Sequence, residues 1–181
     1  MKNKKNIILL GATGSIGNST LRLLRKNRDF FNLIGVSAHN NSKLLSEIVN
    51  EFDVPNVVLS NSNNIKEYFG KFKLNTGPSA LIDLAKIQCD IVITGIIGLT
   101  GLRSAFAAIS YGNNLAIANK ETLVAAGKIF MDKAVEKKVT ILPVDSEHSA
   151  IFQCLSKENI NNLDYITLTA SGGPFLNTSI K

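Results

Sequence analysis

Asp145 and Glu147 stand two positions apart with Ser146 between them, directly after the apolar run Val139-Thr140-Ile141-Leu142. If that run is a strand, both carboxylates leave one side of its C-terminal end. Carboxylate oxygens gathered at such an edge suit a hard divalent cation, Mg²⁺ or Mn²⁺. A second role answers to the same residues, because an Asp and a Glu ahead of an apolar helix also stabilise its N-terminus. His148 adjoins them, but a single imidazole on a helix flank is ordinarily a packed, hydrogen-bonded residue, so it is left out of the catalytic set.

Gly11, Gly14 and Gly17 form a G-x-x-G-x-x-G loop between an apolar run ending at Leu10 and a helical pattern starting at Ser15. Glycine accepts positive φ and lets a pyrophosphate approach the backbone and the helix N-terminus, where Thr13 and Ser15 add hydroxyl donors. The plain alternative is a tight turn without a ligand. An NAD-selective site carries an acid after the second strand. Here the chain reads Ser37-Ala38-His39-Asn40-Asn41-Ser42-Lys43, which holds no acid and one cation and favours NADP over NAD. Asn119-Lys120-Glu121 forms a third group. Asn119 fits a helix cap. Lys120 in a first helical turn opposes the macrodipole, so it binds either an anionic substrate or a neighbouring carboxylate. Ser171-Gly172-Gly173 offers a hydroxyl and backbone N–H groups to a phosphate, or simply turns the chain.

The elements that must position these groups alternate as in a parallel sheet. Strands are expected at 6–10, 32–37, 56–60, 90–94, 114–118, 139–142 and 165–169. Helices are expected at 15–26, 42–52, 79–87, 99–110 and 119–137, with a short one ending near 156. This is an α/β fold: a doubly wound parallel sheet forming a Rossmann-like NADP-binding domain over residues 1–143. Residues 144–181 would be the truncated start of an α+β catalytic domain.

Composition excludes other classes. The 181 residues are 45% hydrophobic and 19% charged, as in an ordinary globular protein. The net charge is +6, but the basic residues form no single face, with groups at the N-terminus (Lys2, Lys4, Lys5), the first helix (Arg22, Arg25, Lys26, Arg28) and a late helix (Lys133, Lys137, Lys138), and aromatics amount to 7% without Trp. That pattern gives no stacking surface for nucleic acid. No stretch approaches a membrane span. Cys89 and Cys154 lie in apolar surroundings and read as reduced, mostly buried thiols of a cytoplasmic protein, or of an organelle after removal of a transit segment.

Four stretches together resemble the 1-deoxy-D-xylulose 5-phosphate reductoisomerase family: residues 11–17 (Gly-Ala-Thr-Gly-Ser-Ile-Gly), 118–124 (Ala-Asn-Lys-Glu-Thr-Leu-Val), 142–153 (Leu-Pro-Val-Asp-Ser-Glu-His-Ser-Ala-Ile-Phe-Gln) and 170–175 (Ala-Ser-Gly-Gly-Pro-Phe). The third is the most specific. The resemblance implies an enzyme of the non-mevalonate isoprenoid pathway, dependent on NADPH and on Mg²⁺ or Mn²⁺. It would rearrange its sugar phosphate substrate and reduce the product to 2-C-methyl-D-erythritol 4-phosphate. It implies that Thr13, Gly14, Ser15, Ile16, Asn41, Asn119 and Glu121 contact NADPH, that Asp145 and Glu147 bind the metal, and that Lys120, Ser146, Glu147 and Ser171 contact substrate. Lys120, Asp145 and Glu147 are the catalytic set. His39 and Asn40 depart from the Gly-Lys that some members carry there. Family members continue well past Lys181 with a third acidic ligand, a flap, a phosphate clamp and a helical domain. The chain is therefore expected to be an N-terminal portion, inactive alone, of an enzyme that is a homodimer at full length. Two other readings stay open: an NADP-linked oxidoreductase resembling aspartate-semialdehyde dehydrogenase, which would need a nucleophilic Cys in an active-site loop, and a nucleotide-binding module without catalysis.

Overall fold

A computed structural model of the chain describes residues 4–61, 72, 74–155 and 160–167. Among them, seven parallel strands form one sheet in the order β4-β3-β2-β1-β5-β6-β7. The strands are β1 (Lys5–Leu10), β2 (Phe31–Ala38), β3 (Asn56–Leu59), β4 (Leu74–Thr76), β5 (Ile91–Thr94), β6 (Asn114–Ile117) and β7 (Ile141–Pro143). The chain winds outward from β1 to β4, then returns to the other side of β1 with β5. That reversal opens a crevice between the C-terminal ends of β1 and β5, the usual ligand position in such sheets.

The winding follows from side-chain alternation along β1, whose residues Ile7 to Leu10 are at most 3% exposed. Ile7 and Leu9 pack with Leu21 and Leu24 of α1 (Ser15–Lys26) and Leu45 and Ile48 of α2 (Ser42–Phe52). Ile8 and Leu10 face the opposite cluster. There they meet Leu81 and Leu84 of α3 (Gly77–Lys86), Ala108 and Ile109 of α4 (Leu102–Ser110) and Phe130 of α5 (Lys120–Lys137). A strand buried on both faces must be apolar at consecutive positions, as Ile-Ile-Leu-Leu is.

The chain divides into two compact units, Met1–Asp145 and Ser146–Lys181. Among the described residues, the second contains α6 (Ser146–Cys154) and a 3₁₀ turn, Ile160–Asn162.

Several expectations are corrected. Val139 and Thr140 are not strand residues: Lys138 turns left-handed at φ 55°, and the Val139 N–H closes α5 on the carbonyl of Ala134. Strand β7 therefore starts at Ile141. The helix expected from Leu99 opens as a 3₁₀ turn, Gly98–Gly101, before α4. Strand β4 is an addition to the expected elements. Residues 165–167 form no strand, since no neighbouring backbone pairs with them among the described residues; 168 and 169 lie outside those residues. Cys154 is exposed rather than buried, because α6 buries none of its residues, whereas Cys89 is buried as expected.

Candidate functional site

The glycine loop is built by its backbone. Gly11 takes φ 84° and donates its N–H to the carbonyl and the hydroxyl of Ser37, each at 3.1 Å. The Ala12 N–H reaches the same carbonyl at 2.7 Å, so β2 anchors the loop. Gly14 then caps α1 without any side-chain hydrogen bond, and the first turn of α1 carries no acid. An uncapped helix start with its positive dipole end toward the crevice favours an anion. Close packing demands the third glycine: a Cβ on Gly17 would lie 2.3 Å from the carbonyl oxygen of Ala12.

Three sheet ends converge beside this loop. An open cleft of about 190 Å³ is lined by Ser15 and Ile16 from α1 and by Gly95, Ile96 and Ile97 after β5. Ala118, Asn119, Lys120 and Glu121 after β6 and Asp145 after β7 complete it. Asn119 is 5% exposed, and its side chain accepts from the Thr122 N–H, capping α5. Lys120 and Glu121 are exposed at the first turn, and Asp145 is half-buried. Lys120 makes no salt bridge among the described residues, which leaves a cation at the rim of the cleft.

The structure thus brings Ser15, Ile16, Asn119, Lys120, Glu121 and Asp145 to one cleft, while Thr13 and Gly14 lie on the loop just ahead of Ser15 and are not part of its lining. Asn41 lies apart from the cleft lining, at the start of α2, where its side-chain Oδ1 accepts from Leu44 N–H at 3.1 Å. Beside it His39 Nδ1 meets Ser60 Oγ at 2.9 Å, and Asn61 Nδ2 donates to Asn40 Oδ1 at 2.6 Å. These pairs join the ends of β2 and β3. Ser146 and Glu147 open α6 in the second unit, where the Ser146 hydroxyl donates to Glu147 Oε2 at 2.8 Å. Ser171 lies outside the described residues. Among those described, no group of three or more His, Cys, Asp or Glu side chains could hold a metal ion.

Sequence reasoning missed Gly95-Ile96-Ile97. A Cβ on Gly95 would sit 2.9 Å from Ile16 Cβ, so this turn packs directly on the start of α1. The signal was a glycine immediately after an apolar strand.

Parallel order, a glycine loop at the point of reversal and a cleft across the strand ends place the protein in the Rossmann-like class of α/β folds. Comparison with known proteins is more specific. Residues 7–127 match the family model for 1-deoxy-D-xylulose 5-phosphate reductoisomerase, and residues 141–181 match the model for that enzyme's C-terminal domain. The chain belongs to the 1-deoxy-D-xylulose 5-phosphate reductoisomerase family. It is 43% identical over 176 residues to the reductoisomerase of Thermoanaerobacter pseudethanolicus, covering 94% of this chain and 46% of that protein. The structure of the Zymomonas mobilis reductoisomerase in complex with NADPH superposes with a TM-score of 0.90 at 40% identity, covering 98% of this chain and 48% of that one. A reductoisomerase solved with NADPH, fosmidomycin and magnesium gives a TM-score of 0.80 at 33% identity, over 86% and 40% of the two chains. The chain spans about half the length of the curated relatives it matches.

Proposed function

We propose that this chain supplies the NADPH site and the first part of the metal and substrate site of a reductoisomerase. The reaction would convert 1-deoxy-D-xylulose 5-phosphate to 2-C-methyl-D-erythritol 4-phosphate. One observation carries the reading: a single cleft joins the uncapped start of α1 to Lys120, Glu121 and Asp145. Family membership gives that cleft its chemistry. We place the catalytic region from residue 144 onward, after an NADPH-binding domain over 1–143.

NADPH fits the residues present. The Gly17 cradle admits no side chain, and the α1 N-terminus would take the pyrophosphate on the Ser15 and Ile16 N–H groups, with the Thr13 and Ser15 hydroxyls beside them. Asn41 would face the adenosine end, where the absence of an acid accepts a 2′-phosphate. Asn119 and Glu121 border the other end. A divalent ion fits by donor type, since Asp145 and Glu147 are hard oxygen ligands, and relatives' longer chains leave room for more. When bound, these groups supply a hydride and polarise substrate oxygens. Lys120 would hold the anionic substrate from the rim, and Ser146, Glu147 and Ser171 would orient it. Two free cysteines suit a reducing, cytoplasmic setting.

A nucleophilic-cysteine oxidoreductase is not supported. Burial pushes the Cys89 thiol up to about 11, and Cys154 lies on α6. The test is a fluorescence titration of the chain with NADPH and NADH, together with Asp145→Asn and Glu147→Gln in the full-length enzyme. NADPH should bind more tightly, and both variants should lose turnover yet still bind NADPH. Equal or tighter NADH binding, or turnover near wild type, would refute the reading.

A further inference from the structure

Asn119 is almost fully buried, and its amide is spent on the protein itself. Nδ2 donates to the carbonyl of Ile96 at 2.8 Å and to the carbonyl of Gly98, while Oδ1 accepts from the Thr122 N–H at 3.3 Å. A primary amide has two N–H donors, so neither is left for a ligand. We propose that Asn119 is a positioning residue: its side chain latches the turn after β5 to the first turn of α5, and so sets the spacing of two walls of the cleft. The inference rests on the NADPH reading only for its effect on binding.

The partners explain why a latch is needed there. Residues 95–97 line the cleft, and the strand they follow ends at Thr94. The turn continues through Gly98, at φ 69°, into a 3₁₀ segment. Such a turn has few backbone partners of its own, and two of its carbonyls end on Asn119. Without the amide those carbonyls would be free to rotate toward the cleft, adding negative partial charge where an anion is to be held. The Oδ1 bond fixes the start of α5, and with it the backbone that carries Lys120 and Glu121.

The fold contains its own control. Asn113 is fully buried, and its Nδ2 donates to the carbonyls of Ala85 at 3.1 Å and Ile87 at 2.9 Å. Its Oδ1 accepts from the Cys89 N–H at 3.0 Å. This is the same three-bond clamp at the opposite, N-terminal edge of the sheet, where it touches no residue of the cleft.

The experiment uses the 181-residue chain with Asn119→Ala, Asn119→Asp and Asn113→Ala. Amide hydrogen exchange without ligand should rise about tenfold or more in residues 96–101 and 122–123 of Asn119→Ala, and NADPH should bind about tenfold more weakly. Asn113→Ala should lower the melting temperature yet keep NADPH affinity within about twofold. In Asn119→Asp a protonated carboxyl can donate to one carbonyl, whereas a carboxylate can only repel both. Its NADPH affinity should therefore fall as pH rises from about 5 to 8, relative to wild type at each pH, a dependence that a packing role would not produce. Unchanged exchange in Asn119→Ala would overturn the latch, and weaker NADPH binding alongside it would mean direct contact with the cofactor. Faster exchange with unchanged affinity would overturn its service to the site. Should Asn119→Ala fail to fold, the pH dependence of Asn119→Asp decides. A wild-type chain that bound no NADPH would sink the functional reading, while the exchange measurement would still judge the latch.

Discussion

Replacing Gly17 with alanine tests whether the glycine loop is shaped for a ligand or is merely a turn. An added Cβ would lie 2.3 Å from Ala12 O and 2.5 Å from both Ala12 C and Gly11 O, all backbone atoms that no rotamer can move. Ordinary contact begins at 3.4 Å, so the start of α1 must withdraw by about 1.1 Å from the loop. Overpacking of this kind costs about 1–3 kcal/mol, or a melting temperature lower by several degrees in a chain of this size. The ligand effect should be larger. Two N–H groups on a phosphate are worth about 1.5–3 kcal/mol each, and a shift of about 1 Å takes a 2.9 Å hydrogen bond beyond useful length. NADPH affinity should fall by about a hundredfold or more. Fluorescence titration and thermal melts followed by circular dichroism measure the two effects on one sample. Gly127→Ala is the control: it follows the kink in α5 at Ala126, nothing lies within 4 Å of its Cβ, and the substitution should leave NADPH affinity unchanged. If Gly17→Ala bound NADPH within about threefold of wild type, the loop would not be holding the pyrophosphate as argued.

Other outcomes follow from single features. The bidentate Arg25 bond and the neighbouring Arg28 hold the Glu51 carboxyl below its ordinary range, so its contribution exists at neutral pH and is lost as pH falls through the lowered pKa. Glu51→Gln should cost about 0.5–1 kcal/mol at pH 7 and progressively less in acid, and urea melts showing an equal cost at both ends would contradict this. A thiol reagent at mildly alkaline pH should label Cys154 promptly and spare Cys89, which is 8% exposed with its thiol pushed up to about 11; peptide mapping that found Cys89 labelled first would overturn the assignment. If Asp145 and Glu147 serve the metal as proposed, the 181 residues given 1-deoxy-D-xylulose 5-phosphate and Mn²⁺ should oxidise no NADPH, because two carboxylates hold such an ion weakly. Substrate-dependent loss of absorbance above background would show that the remaining half of its relatives' length is dispensable.

Local signals made part of this fold legible. The helices α1 and α2 run from Ser15 to Lys26 and from Ser42 to Phe52 as their apolar spacing predicts, because both carry a strong one-sided pattern against a buried sheet. Strand β4 was not legible: Leu74-Asn75-Thr76 has two exposed residues and becomes a strand only by pairing with β3. The same holds for Val139, whose β-branched side chain suggests a strand while its N–H is taken by the α5 terminus. At the site, the spacing of three glycines was readable, but the part played by Gly95 comes from contact with Ile16, far away in sequence. Asn119 could be read as a cap. Its two bonds to the β5 turn belong to tertiary structure and leave no local trace.

The sheet itself explains why Lys120 and Asp145 line one cleft. β6 and β7 are parallel neighbours, paired from Leu115 with Ile141 to Ile117 with Pro143. The Val144 N–H continues that ladder to the Ile117 carbonyl at 2.9 Å, so Asp145 is the first residue past the last of these bonds. On β6 the corresponding exit is Ala118 and Asn119, after which Lys120 begins α5. Equal register therefore delivers a cation and a carboxylate to the same rim from adjacent strands. The cation opposes the α5 macrodipole, a cost of about 0.3–1 kcal/mol, and Glu121 and Asp145 lie on the same cleft to offset it. Lys120 forms no salt bridge with either carboxylate among the described residues, so on the proposed reading an anionic ligand at this rim would complete the compensation they begin.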